Sequence, residues 1–286
     1  MGDVTPPPPD ADTDTLAALG RALRQLRLDL GWSGETAARY ALISQSKISR
    51  IENGRTPPSL ADVAQLLSAY QASDADRARI LALARSAARE FRSTRDNARR
   101  GFDRKQAELA TFEKTGAVMR HFLPAGVTGL LQTRDYAEAV LRASGSVPPS
   151  QIDMVVEGKI ARQEALADPE RRFMFLFTET GVRARLAPAP VMAEQMARLA
   201  DLAEEGRPEI AVVPFSVRWP GPPLNTFVVY DARFVTAEVF NGEILLHDQQ
   251  DVAYHLARFE QFWAVALTGQ DAAVFLRAVA LEYRRQ

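Results

Sequence analysis

The sequence predicts two unlike folds in one chain. The first is an all-α N-terminal domain of about five helices, and the second an α+β domain with a mostly antiparallel sheet of about five strands. Three observations predict this. Apolar residues recur at helical spacing through the first third of the chain. Short β-branched and aromatic runs bounded by turn residues begin only at Phe173. Charge also divides: residues 15–105 carry 17 Lys and Arg against 9 Asp and Glu, residues 106–286 carry 18 against 23, and four aspartates in residues 1–14 bring the chain to −1. A basic part joined to an acidic part predicts a polyanion-binding domain tethered to a sensing or interaction domain.

The opening MGDVTPPPPDADTD is acidic and proline-rich, so residues 1–14 read as a disordered leader and not as a signal peptide. Residues 15–72 form the small helical domain. Leu16, Leu19, Leu23, Leu26 and Leu30 mark its first helix, with Arg21, Arg24 and Arg27 between them. Ser33 opens a second helix, where Ala37 and Ala38 are small enough for a close crossing. Ser44 caps a third helix, and Gly54 can adopt the left-handed conformation that stops it. Pro57-Pro58-Ser59 resets the chain, and Ser59 with Asp62 caps a fourth helix carrying Val63, Leu66, Leu67 and Tyr70. Residues 73–105 read as an Arg-rich linker helix with Ile80, Leu81, Leu83, Ala84, Ala87, Ala88 and Phe91 on one stripe. It closes the small domain or adds a second backbone contact.

Residues 106–286 mix helices and strands. The run FMFLFT at 173–178 predicts a buried strand, and EIAVVPF, NTFVVY, FVTAEVF and EILL predict four more. Short turns at Asp231-Ala232-Arg233 and Asn241-Gly242 make the last three a meander. Helices follow over about 251–267 and 271–283.

The third helix carries the chemistry. Ile48 and Ile51 lie three apart and face inward, whereas Gln45, Ser46, Ser49 and Arg50 face outward. Short polar and cationic side chains opposite an apolar face are what a helix needs to reach base edges in a major groove. The alternative is an ordinary surface hairpin in a helical bundle. The basic surround would add the salt-dependent, sequence-blind share of affinity for double-stranded DNA. One such helix covers few base pairs, so a unique address predicts a homodimer on an inverted-repeat operator. Phe259, Phe262, Trp263, Phe275, Leu276 and Tyr283 on the final helices are candidates for the dimer contact, or else they cover the sheet.

Residues 15–70, and SKISRIENGR followed by PPS above all, resemble the Xre-type (Cro and phage-repressor-like) helix-turn-helix domain. The resemblance implies base reading by Gln45, Ser46, Ser49 and Arg50. It implies phosphate-backbone contacts by Ser33, Lys47, Asn53 and Arg55, and a scaffold ion pair between Arg27 and Glu52. Two positions depart from the family: Gly34 stands where Gln is usual, and Ala41 where the turn usually has Gly. A left-handed Ala41 would cost about 1 kcal/mol. GLLQTRDYAEAV (129–140), RQEAL (162–166) and FTETGVR (177–183) resemble the domain that follows in actinobacterial WhiJ-like regulators. That implies a developmental or antibiotic-related transcription regulator with a small partner protein encoded nearby.

Other functions are narrowed by composition. The absence of cysteine excludes disulfides, thiolate catalysis and cysteine-based zinc sites. His121, His247 and His255 show no metal-ligand spacing, so neither a metal, a cofactor nor a catalytic residue is expected. His247-Asp248 reads as a strand end and helix start more readily than as a base with its orienter. Gln132, Tyr136, Arg162, Gln163, Glu179 and Glu238 are the ligand or partner candidates. Glu179 and Glu238 could instead be edge charges, and Arg162 and Gln163, beside Lys159 on one helix, could form internal bridges. No apolar run approaches the roughly 20 residues that span a bilayer, so no membrane partner is expected and the chain is placed in the cytoplasm, on the nucleoid. The expected function is a DNA-binding regulator whose second domain binds a ligand or partner. The alternative is a toxin-like or enzymatic effector that uses the helix-turn-helix for self-repression.

Overall fold

The computed structural model describes residues 11–56, 58–87, 89–93 and 102–286. The chain divides into two compact units, Met1–Phe91 with Ile244–Asp251, and Arg92–Glu243 with Val252–Gln286.

Five helices build the first unit: α1 (Ala11–Asp29), α2 (Gly34–Ala41), α3 (Gln45–Glu52), α4 (Leu60–Ala69) and α5 (Asp74–Ala87). Each contributes apolar residues to one core: Leu19 and Leu23 from α1, Ala37 and Ala41 from α2, Ile48 and Ile51 from α3, Val63, Leu66 and Leu67 from α4, and Ile80 and Ala84 from α5. Serine caps set the helix starts. Ser33 Oγ accepts from the Thr36 amide at 3.1 Å, Ser44 Oγ from the Lys47 amide at 3.4 Å, and Ser59 with Asp62 completes a reciprocal capping box.

Two expectations are corrected here. Of the leader, residues 11–14 form the first turn of α1; residues 1–10 lie outside the described residues. The stretch 73–105 is not one linker helix. Ile80 and Ala84 seat α5 in the first unit's core, β1 (Arg89–Ser93) follows, and α6 (Phe102–Thr115) starts afresh. Residues 94–101 lie outside the described residues.

The left-handed residue between α2 and α3 is Leu42 (φ 53°, ψ 34°), and Ala41 is the last, buried residue of α2. The helix runs one residue further because Ala41 fills the core. The strain therefore falls on a leucine whose side chain is 83 % exposed. Leu42→Gly removes the Cβ penalty and little packing, so stability should rise by up to about 1 kcal/mol. An unchanged or lowered denaturation midpoint would show that the exposed leucine matters more than its backbone.

The second unit is built on a mixed sheet. Seven strands follow the order β7 (Gly242–Leu246), β6 (Phe234–Val239), β5 (Phe227–Tyr230), β2 (Val118–Leu123), β3 (Arg172–Thr178), β4 (Glu209–Val213) and β8 (Leu267–Thr268). β1 stands beside β7 in that order. β2, β3 and β4 are mutually parallel, whereas β5 runs antiparallel to β2 and β6, and β8 antiparallel to β4. The expectation of about five mostly antiparallel strands is corrected by this centre. Parallel neighbours need long crossovers. One contains α7 (Arg134–Ser144) and α8 (Ile152–Arg162), the other α9 (Glu179–Arg183) and α10 (Ala189–Glu205).

The final helices are α11 (Gln249–Trp263) and α12 (Gly269–Arg284). Phe259, Phe262, Leu276 and Tyr283 are buried within the chain. They cover the protein's own core, which removes them as a dimer surface.

Candidate functional site

The outward face of α3 is where charge and exposure meet. Gln45, Ser46 and Arg50 are exposed and Ser49 half-buried, while Ile48 and Ile51 are sealed into the core behind them. Among the described residues Arg50 pairs with no acidic group. Gln45 lies along α2, because a Cβ on Gly34 would sit 3.4 Å from Gln45 Nε2. The absence of a side chain at Gly34 thus makes room for that of Gln45.

The backbone-contact candidates fare unequally. Arg55 is exposed. Lys47 Nζ donates to Asp62 Oδ1 at 2.8 Å, which holds that carboxyl below the usual carboxylate range and fixes the ammonium beside α4. Asn53 Nδ2 donates to the Ser49 carbonyl at 2.7 Å, ending α3, and Ser33 caps α2. Arg27 meets Glu52 through two parallel hydrogen bonds, Nε to Oε1 at 2.7 Å and Nη2 to Oε2 at 2.6 Å, both side chains being nearly enclosed. Arg27 Nη1 also donates to the Trp32 carbonyl at 2.7 Å. One guanidinium therefore ties α1 to the end of α3 and to the loop before α2. Burial raises the Tyr70 hydroxyl nearby to about 12.

The second unit holds a cavity of about 420 Å³ on one face of the sheet. Its floor includes one row of strand residues, His121, Val228 and Thr236, which pair in register across β2, β5 and β6. Gln132, Tyr136, Arg162 and Glu238 line it, so four of the six ligand candidates converge there. Gln163 and Glu179 do not. Gln163 Nε2 donates to the Gln132 carbonyl at 2.7 Å and staples the loop. Glu179 accepts from Arg183 Nε and from the Phe215 amide, each at 2.6 Å, and is committed to structure.

Gln132 is used at both ends, donating to the Val127 carbonyl at 2.6 Å and accepting from Lys159 Nζ at 2.8 Å. Arg162 is held by Glu113, with Nε to Oε2 at 3.0 Å, and by Gln106 Oε1 at 2.7 Å. Burial raises the Glu113 carboxyl despite that partner. Burial also lowers the Lys159 ammonium to about 8 and pushes Tyr136 up to about 12.

His121 and Lys159 are among the pocket residues that sequence reasoning missed, as are Gln106, Glu113 and Glu243. The alternation Met119, His121, Leu123 carries the signal for His121, but Arg120 beside it interrupts the apolar run that would identify a strand. Enclosure and the nearby Arg162 charge lower His121 to about 3, so its imidazole is neutral. Among the described residues, no group of three or more side chains could hold a metal ion, and no helix is long and apolar enough to cross a membrane.

Comparison with known proteins follows the same division. Residues 18–80 match a family described as helix-turn-helix domain. No curated protein matches the sequence. A solved structure of TrmBL2, an archaeal chromatin protein described as showing a novel mode of DNA binding, is similar at 11 % identity and a TM-score of 0.34, over 91 % of this chain and 100 % of that one. Likeness at that level carries no argument. The match to the family described as domain of unknown function DUF5753 covers residues 106–278, more than half of the chain, and the protein belongs to that family, with a helix-turn-helix domain ahead of it.

Proposed function

We propose that the protein is a sequence-specific transcription regulator of the Xre-type and WhiJ-like kind, whose first unit reads double-stranded DNA and whose second unit biases that binding through a small ligand or a partner protein. The observation that carries the reading is α3. Its inner face is locked into the five-helix core, and its outer face presents Gln45, Ser46, Ser49 and Arg50. Arg50 suits guanine and Gln45 suits adenine in the major groove. Arg55 is the exposed backbone-contact candidate. Lys47 reaches phosphate only by sharing or leaving Asp62. Two copies on inverted half-sites supply the specificity that one short helix lacks. The protein acts on the nucleoid, and the second unit works by binding, not by catalysis.

Selection from a randomised duplex pool, followed by binding assays on the selected site, tests this reading. Arg50→Ala is expected to weaken the preferred site by about 1–3 kcal/mol and to relax preference at one base position. Unaltered affinity together with unaltered base preference would remove α3 from the groove.

A further inference from the structure

His121 borders the cavity of the second unit and is buried, yet among the described residues neither Nδ1 nor Nε2 has a hydrogen-bond partner. Its ring lies 4.6 Å from that of Phe175, and Phe175 and Val228 flank it in register on β3 and β5. A neutral imidazole offers one donor and one acceptor, and buried polar atoms in folded proteins are almost always satisfied. The charged groups of the wall are already engaged. Glu113 and Gln106 hold the Arg162 guanidinium. Lys159 donates to Gln132 and lies in the field of Glu238, which is itself exposed to water. Glu238 and Glu243 both have interactions of their own. Gln132 is used at both ends, and Tyr136 is bonded to the Val127 backbone. What this wall still offers is the neutral imidazole.

We propose that this cavity binds an uncharged small molecule with an apolar body and a hydroxyl group, the hydroxyl hydrogen-bonded to His121. This deepens, and rests on, the reading of the second unit as ligand-binding. The engaged charges select the uncharged form, because an ionised ligand would lose its water without gaining an open counter-charge. His121 selects the hydroxyl. That group both donates and accepts, so it serves whichever imidazole nitrogen faces the cavity, in either tautomer. A lone water is a poorer occupant, since it needs about three polar partners and Phe175 and Val228 flank the ring. Leu109, Leu123, Val127 and Val140 line the same cavity and suit an apolar body. The volume of about 420 Å³ suits a metabolite and is too small for a folded protein partner.

The full-length protein contains three histidines, so labelling the imidazole nitrogens with nitrogen-15 gives three spin systems. His247→Gln and His255→Gln, both outside the cavity wall, assign the His121 signals by elimination. The probes are hexanol, cyclohexanol and naphthol, each with the carboxylate and the amine of the same skeleton. The alcohols are expected to move the His121 signals, and the charged analogues to bind at least tenfold more weakly. His121→Leu should weaken alcohol binding at least tenfold, whereas Arg50→Ala should leave it unchanged. Carboxylates or amines that bind as tightly as the alcohols would overturn the uncharged class. His121 signals that no compound moves would overturn the site. Affinity for the selected duplex, measured with and without the alcohol, tests the regulatory reading separately: unchanged affinity beside shifted His121 signals would keep the pocket and remove its role in DNA binding.

Discussion

Arg27→Met and Glu52→Leu should each lower the stability of the first unit by about 3–5 kcal/mol, because each leaves the other charge buried without its partner. The double substitution should cost far less than the two combined, since no charge then remains to be buried. The expectation rests on the bidentate geometry, with both side chains withdrawn from water. Arg27→Met should be the more damaging single change, because the hydrogen bond to the Trp32 carbonyl goes with it. Hydrogen exchange of the α1 and α3 amides in the full chain reports the loss where it occurs. Additive effects of the two substitutions would show that the pair contributes nothing beyond its separate side chains. The loss should extend to DNA binding, since the same contact seats the end of α3.

Gly20→Ala should destabilise the first unit by roughly 3 kcal/mol, near the top of the usual range for overpacking. Two effects oppose each other here. Gly20 lies inside α1, where alanine is favoured over glycine by about 1 kcal/mol on helix propensity alone. A Cβ at this position, however, would lie 2.7 Å from the carbonyl oxygens of both Ile51 and Glu52. Those atoms are backbone at the end of α3 and cannot rotate away, so α1 and α3 would have to separate. Contact should win over propensity. A melting temperature raised by Gly20→Ala would mean that the two helices are not held so closely.

The first unit was largely legible because its determinants are local. Ser44, Ile48, Ile51 and Gly54 place, orient and end α3 within a dozen residues, and Ser59 with Asp62 does the same for the start of α4. At the turn between α2 and α3 the error was one residue wide. The turn's left-handed conformation falls at Leu42, because whether Ala41 is buried depends on the helices packed around it. The second unit was legible only in part. The apolar run of β3 and the turns of the β5–β6–β7 meander are sequence-local signals. β2 is central yet carries Arg120 and His121, and β8 has two residues, too few for any pattern. Without β2 in place, the parallel centre of the sheet could not be inferred.

The candidate sites divide in the same way. Residues Gln45, Ser46, Ser49 and Arg50 share an outward face because helical periodicity puts them there, so the sequence alone determined that polar outward face and the basic character of its surroundings. It also determined that no cysteine chemistry is open to this chain. Only the tertiary structure decided that Lys47 is held by Asp62, that Glu179 and Gln163 are spent on internal hydrogen bonds, and that His121 shares one cavity with Lys159, Gln132 and Glu238. The physical reason is range. Periodicity and capping act between residues a few positions apart, whereas the pocket joins α6, β2, α7, α8 and β6, whose proximity depends on strand order and on the helices that cross between strands.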